Sequence, residues 1–497
     1  MRAIGYAAIL HALDIKALPN YQASYLSEKG GKQTIHHSDG TLDIVFPRNY
    51  DPGLDLLDQF VFALKYEGVN LEILSAAFAK INPLDISNFI AQQPTGRWAR
   101  KIWFLYEFLT ERSLPDLPDL KMGNYVDLLD TTKYYTSLGK KSRRHRINNN
   151  LLGNQDFCPF VRRTVLLNEW EQKKLNERAA SIFKNAPDDI MTRAVHYLYT
   201  KETKSSYAIE REALNNDRIS RFVRTLQSAG SSDFLNKDKL VWLQNQIVDK
   251  RFINTDYRTS QNYVGESVNA GRETIHFISP KPEDIPKLMG GLTQCHERMM
   301  ESKISPVIHA AVISFAFVFI HPFDDGNGRI HRLLIHHILA KTKFSPQGMI
   351  LPVSATLLRN IKKYDETLES FSKVLMPLIE YRIDPKDGVL EVQNETSRHY
   401  KFVDMTRICE DVFLFLEETI KTDLPNELNF LIVYDRAKKA IQSIVDMPDQ
   451  KIDQFVKFCL QNNGVLSSSK RRQYFDTLTD AEVSKMELLL RESILKL

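Results

Sequence analysis

The sequence predicts a mainly helical chain: a helical core carrying a β-hairpin flap, with further helical modules at both ends. Three observations carry that prediction. Apolar residues recur at three-and-four spacing in LDLLDQFVFALKYEG (54–68) and GRWARKIWFLYEFLTER (96–112), the pattern of amphipathic helices. The run ISPVIHAAVISFAFVFI (304–320) contains no Asp, Glu, Lys or Arg and reads as a helix buried on all sides. NYVGESVNAGRETIHFISPKPEDIPKLM (262–289) then breaks the helical texture with glycines, prolines and the β-like TIHFI, as a hairpin or extended flap does.

Taken in chain order, residues 1–115 read as a mostly helical N-terminal module. Within it, KQTIHHSDGTLDIVFP (32–47) has an Asp-Gly turn between short β-like runs. Residues 116–185 form a connecting segment, opening in the proline-rich PDLPDLKMGNYVDLL (115–129) and continuing into the basic run KKSRRHRINNNLLGN (140–154). Residues 186–390 form the catalytic domain, with a flap at about 262–282. Residues 395–497 form a small helical C-terminal module.

Composition narrows the function classes. Hydrophobic residues make up 43% and charged residues 26% of the 497, which are globular averages, and ~150 residues per domain suggests about three domains. A net charge of +4 is too small for this length to imply a nucleic-acid or membrane partner by itself. Cys158, Cys295, Cys409 and Cys459 are far apart with no CxxC pairing, so buried, reduced thiols in a cytoplasmic protein are expected. The N-terminus meets Asp14 and Lys16 before any cleavage-like site, and the uncharged run falls short of the ~20 apolar residues of a membrane span.

The chemistry is concentrated in HPFDDGNGRIHR (321–332), directly after the uncharged run. Pro322 disfavours helical geometry at the residue before it, so the buried helix should end at His321. Its imidazole has a pKa suited to proton transfer near neutrality. Phe323 should plug the loop into the core. Gly326 and Gly328 flank Asn327, allowing close backbone approach and positive φ where the next helix, RIHRLLIHHILAK (329–341), is expected to start. Backbone N–H groups at a helix N-terminus make an anion site. Arg329 and Arg332, three apart, fall on one face beside it, and two guanidiniums suit a polyphosphate. Asp325 offers a hard oxygen to Mg²⁺. A base, a metal ligand, an amide cradle and two phosphate clamps together describe transfer of a phosphorus-containing group from a nucleotide.

HPFDDGNGRIHR resembles the Fic signature, HxFx(D/E)GNGRxxR, at every specified position. The resemblance implies a Fic-type catalytic core of which the uncharged helix is the central helix. The implied activity is that of a protein adenylyltransferase, moving AMP from ATP, with Mg²⁺, to a Ser, Thr or Tyr hydroxyl of a target protein. By that likeness His321 takes the hydroxyl proton and Asp325 holds Mg²⁺. Asn327 with the amides of Gly326 and Gly328 holds the α-phosphate, Arg329 neutralises the β- and γ-phosphates, and Arg332 orients the γ-phosphate. The flap, through Thr274, Ile275, His276, Phe277 and Ile278, holds the target segment by strand addition. An inhibitory helix at about 203–215 is also implied, since Ser206-Tyr207-Ala208-Ile209-Glu210 fits (S/T)xxxE, with Glu210 pairing to Arg332. Arg211 departs from the Gly or Asn that the family prefers next. Dimerisation is a further expectation of the likeness alone.

Two alternatives stand beside this reading. One keeps the fold but changes the chemistry to another nucleotide or to AMP removal. The other is a nucleic-acid-binding regulator acting through the flanking modules, the basic run at 140–146 and SSSKRRQ (467–473).

Overall fold

A computed structural model describes residues 1–38, 40–184, 188–231, 233–269, 272–384 and 388–495. The architecture is mainly α-helical with small sheets. Contacts divide the chain into two units that interleave along the sequence. The first holds residues 1–173, 220–344 and 360–414; the second holds 174–219, 345–359 and 415–497. The boundaries expected near residues 115, 185 and 390 follow the chain linearly, whereas the contact units do not.

The first unit begins with more β-structure than expected. β1 (Arg2–Ile4), β2 (Gln22–Ser27), β3 (Gln33–His36) and β4 (Leu42–Pro47) form one sheet in the order β1-β2-β4-β3. Only β3 and β4, an antiparallel pair joined across residues 37–41, fall in the expected hairpin. Asp39 of its turn lies outside the described residues. The missed strand β2 alternates strictly between buried and half-buried positions, and it pairs with β4 in parallel, a non-local contact that no turn signal marks. Behind the sheet, the helices Leu56–Phe62, Leu71–Phe78 and Arg97–Thr110 bury Phe60, Ile73, Leu74, Trp103 and Leu105 in a shared core.

The basic run 140–146 turns out to be partly a strap. Arg144 donates to both Glu107 carboxylate oxygens, to Asp119 at 2.8 Å, and to the carbonyls of Leu114 and Leu117. Arg146 donates to the carbonyls of Leu120 and Lys121 and lies over the Tyr125 ring. The proline-rich segment thereby gains the hydrogen bonds that an irregular backbone otherwise lacks.

Helix Pro306–Ile320 is the centre of the unit's second half. Every residue in it except Pro306 and Val318 is buried, so an uncharged sequence is what its surroundings require. It packs between helix Ile285–Glu301 and helix Asn327–Lys341. The four cysteines are buried and unpaired, and burial pushes the Cys158 and Cys459 thiols up to about 12. Among the described residues no helix is long and apolar enough to cross a membrane.

In the second unit, helix Asp188–Ile209 packs on helices Val353–Arg359 and Leu424–Gln442. Its buried Glu202 accepts the Ser354 N–H at 2.8 Å, and Arg359 pairs with Asp423 and Glu418. The remaining C-terminal helices enclose Ile441, Phe455, Cys459, Phe475, Met486 and Leu490.

Glu107 makes a test of the strap. Burial raises its pKa, but hydrogen bonds from Arg144, Leu114 N–H and Trp103 outweigh that and hold it below the ordinary carboxylate value. A depressed carboxylate contributes stability above its unfolded pKa and loses it as pH falls through the folded one. Glu107→Gln is therefore expected to lower unfolding free energy at neutral pH by about 2 kcal/mol. The gap to wild type should close below the usual carboxylate range, as read by denaturant melts at stepped pH.

Candidate active site

The central helix stops at Ile320 because His321 adopts left-handed geometry, φ 53° and ψ 57°, ahead of Pro322. The His321 N–H still closes the last turn onto the Phe317 carbonyl at 3.0 Å. Its Nδ1 lies 3.0 Å from the Val318 carbonyl, and since a carbonyl only accepts, Nδ1 carries the proton. That bond fixes the tautomer whose lone pair is on Nε2. A left-handed cap and a backbone acceptor together fix the orientation of the imidazole ring.

The loop is folded back on itself by its own side chains. Phe323 is fully buried, as expected of a plug. The Asn327 carboxamide accepts the Phe323 N–H at 3.1 Å and donates to the Phe323 carbonyl at 2.8 Å. Its side chain thus holds the loop closed. Gly326 caps the next helix at φ 92°, and an added Cβ would stand 3.0 Å from Val248 Cγ1. The helix runs Asn327–Lys341, starting two residues before the expected 329. Residues 326–328 therefore span its cap and first turn, where N–H groups have no partner within the helix.

Arg329 and Arg332 are each only 1% exposed, unusual for guanidiniums. Arg329 donates to Asp325 Oδ1 at 2.6 Å, and the Gly326 N–H donates to the same oxygen at 2.6 Å. One carboxylate oxygen thus takes hydrogen bonds from a helix-start amide and a buried guanidinium at once. The Asp325 side chain remains 44% exposed, so it can be reached from solvent by a cation. This donor set fits Mg²⁺ and nucleotide phosphates: a hard carboxylate beside helix-start amides and buried guanidiniums.

Arg258 is the residue that sequence reading missed. Only 3% exposed, it donates through Nε to the His321 carbonyl at 2.8 Å, and its own N–H donates to the Pro322 carbonyl at 2.9 Å. Its other nitrogens reach the carbonyls of Ser260 and Pro280 and the Ser279 hydroxyl. Burial lowers its pKa to about 10, against the opposing pull of Asp324 and Tyr400, so the charge persists at neutral pH. In RFINTDYRTSQN nothing sets this arginine apart from its neighbours; the signal is three-dimensional.

The flap is present as strands Tyr263–Asn269 and Arg272–Ile278, paired antiparallel, with residues 270–271 outside the description. Register shifts fall between Val264 and Gly265 and between Ser267 and Asn269. Gly265 is required at the first, since a Cβ would come 2.8 Å from the Thr274 carbonyl. The expected target-holding residues divide into two groups. Phe277 and Ile278 are buried, Phe277 against Phe319, Phe371 and Tyr400, so they root the hairpin. Thr274 and His276 face solvent and Ile275 is half-buried.

The helix carrying the SxxxE pattern ends at Ile209, short of the expected 215. Glu210 and Arg211 form a turn, with the Glu210 N–H on the Tyr207 carbonyl and Arg211 at φ 57°. The left-handed residue stops the helix. Ser206 is buried and Glu210 is exposed.

Residues 234–339 match the Fic/DOC family model. The matched stretch begins after the SxxxE helix and contains the flap, the central helix and the loop. The chain is also similar to proteins named protein adenylyltransferase Fic. It is 24% identical over 250 residues to one from Nematostella vectensis, covering 46% of this chain and 57% of that protein. It is 27% identical over 148 residues to fic-1 of Caenorhabditis elegans, covering 29% and 26%, and 34% identical over 97 residues to the Drosophila melanogaster protein, covering 20% and 17%. The chain therefore spans about half or less of the length of the relatives it matches. A Fic family protein from Desulfovibrio desulfuricans aligns with TM-score 0.38 at 18% identity, covering 63% of this chain and 87% of that one. A Fic domain-containing signalling protein from Bacteroides thetaiotaomicron aligns with TM-score 0.35 at 20% identity, covering 52% and 94%.

If Arg258 joins loop and flap, Arg258→Lys should loosen both together. The expected cost is roughly 2 kcal/mol, because a lysine reaches fewer of the four acceptors that the guanidinium serves. Hydrogen exchange should rise in parallel at 263–278 and at 321–327, with little change at 97–110.

Proposed function

We propose that this chain is a protein adenylyltransferase that transfers AMP from Mg²⁺-ATP to a hydroxyl side chain of a target protein or of itself. The observation that carries the reading is the tautomer of His321, protonated at Nδ1 by its bond to the Val318 carbonyl and so carrying its lone pair on Nε2, in the loop that leads into the helix start at Gly326. Deprotonation of an incoming alcohol needs that lone pair, and the phosphate needs those amides.

In the reaction, the target hydroxyl oxygen bonds to the α-phosphorus as the bond from that phosphorus to the β-bridging oxygen breaks. Pyrophosphate departs, and the hydroxyl proton passes to His321 Nε2. Backbone amides at 326–328 receive the α-phosphate oxygens. Arg329, already shown to grip an anionic oxygen on Asp325, exchanges it for the leaving pyrophosphate, and Arg332 orients the γ-phosphate. Asp325 is the residue to hold Mg²⁺, which supplies charge neutralisation when bound. Burial of both guanidiniums strengthens their hold on phosphate relative to water.

The flap receives the target segment along an outer strand edge, backbone to backbone, which fits a protein substrate. Restraint is assigned to Glu210: a carboxylate on Arg332 competes with the γ-phosphate for the same guanidinium. Arg211 follows it in place of the small residue common in this family. Two of the five cations at 140–146 serve the fold, which weighs against the nucleic-acid reading through that cluster.

Intact-mass measurement after incubation with Mg²⁺-ATP tests the proposal. A gain of one adenylate is expected, lost in His321→Ala and increased at least tenfold in Glu210→Gly. Labelling that persists in His321→Ala would remove the base from the mechanism. Parallel incubation with UTP, GTP and CDP-choline separates the alternative donors.

A further inference from the structure

We propose that Asp233, His296 and His337 form a transition-metal site, of the kind that takes Zn²⁺, separate from the Mg²⁺ position at Asp325. The three side chains come from separate elements: a loop, helix Ile285–Glu301 and helix Asn327–Lys341. One donor atom from each lies within 4.8 Å of the others. The proposal stands independently of the adenylyltransferase reading.

The second observation is the state of His337. The residue is fully buried, and its Nδ1 lies 2.6 Å from the Ala229 carbonyl, so Nδ1 carries the proton. Its Nε2, the lone-pair nitrogen, is buried with no hydrogen-bond partner among the described residues. A bare lone pair in a dry interior is costly unless something fills it. An imidazole that donates through one nitrogen to a carbonyl and offers the other is the outer-shell arrangement that metal-binding histidines use.

His296 repeats the arrangement. Its Nδ1 is 3.0 Å from His309 Nε2, and His309 is itself fully buried. With Nδ1 in that bond, Nε2 is the nitrogen left for a metal, and binding selects the tautomer in which His296 donates to His309. Burial lowers the His296 pKa to about 4 and lowers that of His337, against the raising effect of Asp233 on both.

Two imidazoles and one carboxylate are borderline ligands that suit Zn²⁺, Co²⁺ or Ni²⁺ better than Mg²⁺. A tetrahedral ion would place its ligand atoms about 3.3 Å apart, so the site must tighten by roughly 1.5 Å at most. Asp233 can supply the movement, since it is exposed and lies in a loop. Its negative charge also offsets Lys341, which acts on both imidazoles. A water completes the coordination. His337 lies ten residues beyond Asn327, about 15 Å along the helix, too far for the two cation positions to merge.

The test uses the full chain, stripped with chelator and titrated with Co²⁺ or Zn²⁺ alone. One equivalent is expected to bind, giving tetrahedral cobalt absorption bands and raising the melting temperature; excess Mg²⁺ should leave the bands unchanged. Asp233→Asn, an exposed substitution that preserves folding, should weaken Co²⁺ binding at least tenfold without shifting the melting temperature of the stripped protein. Asp325→Asn should keep the bands. Absence of binding, or equal affinity in Asp233→Asn, overturns the proposal. So do bands lost in Asp325→Asn but kept in Asp233→Asn, which would assign cobalt to the loop.

Discussion

Arg258 sits where three pieces of irregular backbone converge, and each piece depends on it. The carbonyls of His321, at the end of the central helix, and of Ser260 and Pro280, flanking the hairpin, are turned toward one guanidinium, and the Pro322 carbonyl takes the Arg258 backbone N–H. Non-helical backbone packed in an interior must find partners for its polar groups. A planar group with five N–H donors is the single side chain able to serve so many acceptors at once. Its burial costs solvation, which the multiple hydrogen bonds offset. The arrangement makes the position of His321 and the position of the hairpin one problem rather than two.

Around that anchor, the loop is built so that its polar groups interlock. Asn327 closes the loop on Phe323, Asp324 accepts from Asn254 at 2.8 Å, and Asp325 faces Gly326 and Arg329. The consequence is an anion position defined by the resting fold. One carboxylate oxygen occupies that position, taking hydrogen bonds from the Gly326 amide and from Arg329 without any backbone rearrangement. Electrostatic preorganisation of this kind is the usual source of catalysis in phosphoryl-type transfers.

The sequence made the site more legible than the frame around it. His321, Asp325 and the two glycines are named by local rules: a proline restricts the residue before it, and a helix start needs flexible, amide-rich backbone. The central helix was legible because a complete absence of charge leaves burial as the remaining option. What escaped were features set by distant contacts. The sheet at the N-terminus depends on β2 lying parallel to β4, with no turn between them to announce it. Arg258 looks like any arginine until Ser279 and Pro280 arrive beside it. The early stop at Ile209 follows from one left-handed residue, Arg211, whose type does not favour that geometry. Phe277 and Ile278 are expected to hold a target because they lie in the flap strand, and burial of both at the hairpin's root depends on the distant aromatic partners Phe319, Phe371 and Tyr400 that pack on Phe277.

The division of labour within the hairpin has a corollary. Its base is moored in an aromatic cluster, while Val264, Thr274 and His276 are open to water. Substitution at those outward positions leaves the mooring undisturbed, because their side chains meet water rather than the aromatic cluster. The open face of the hairpin can thus change its lettering while its anchorage stays as it is.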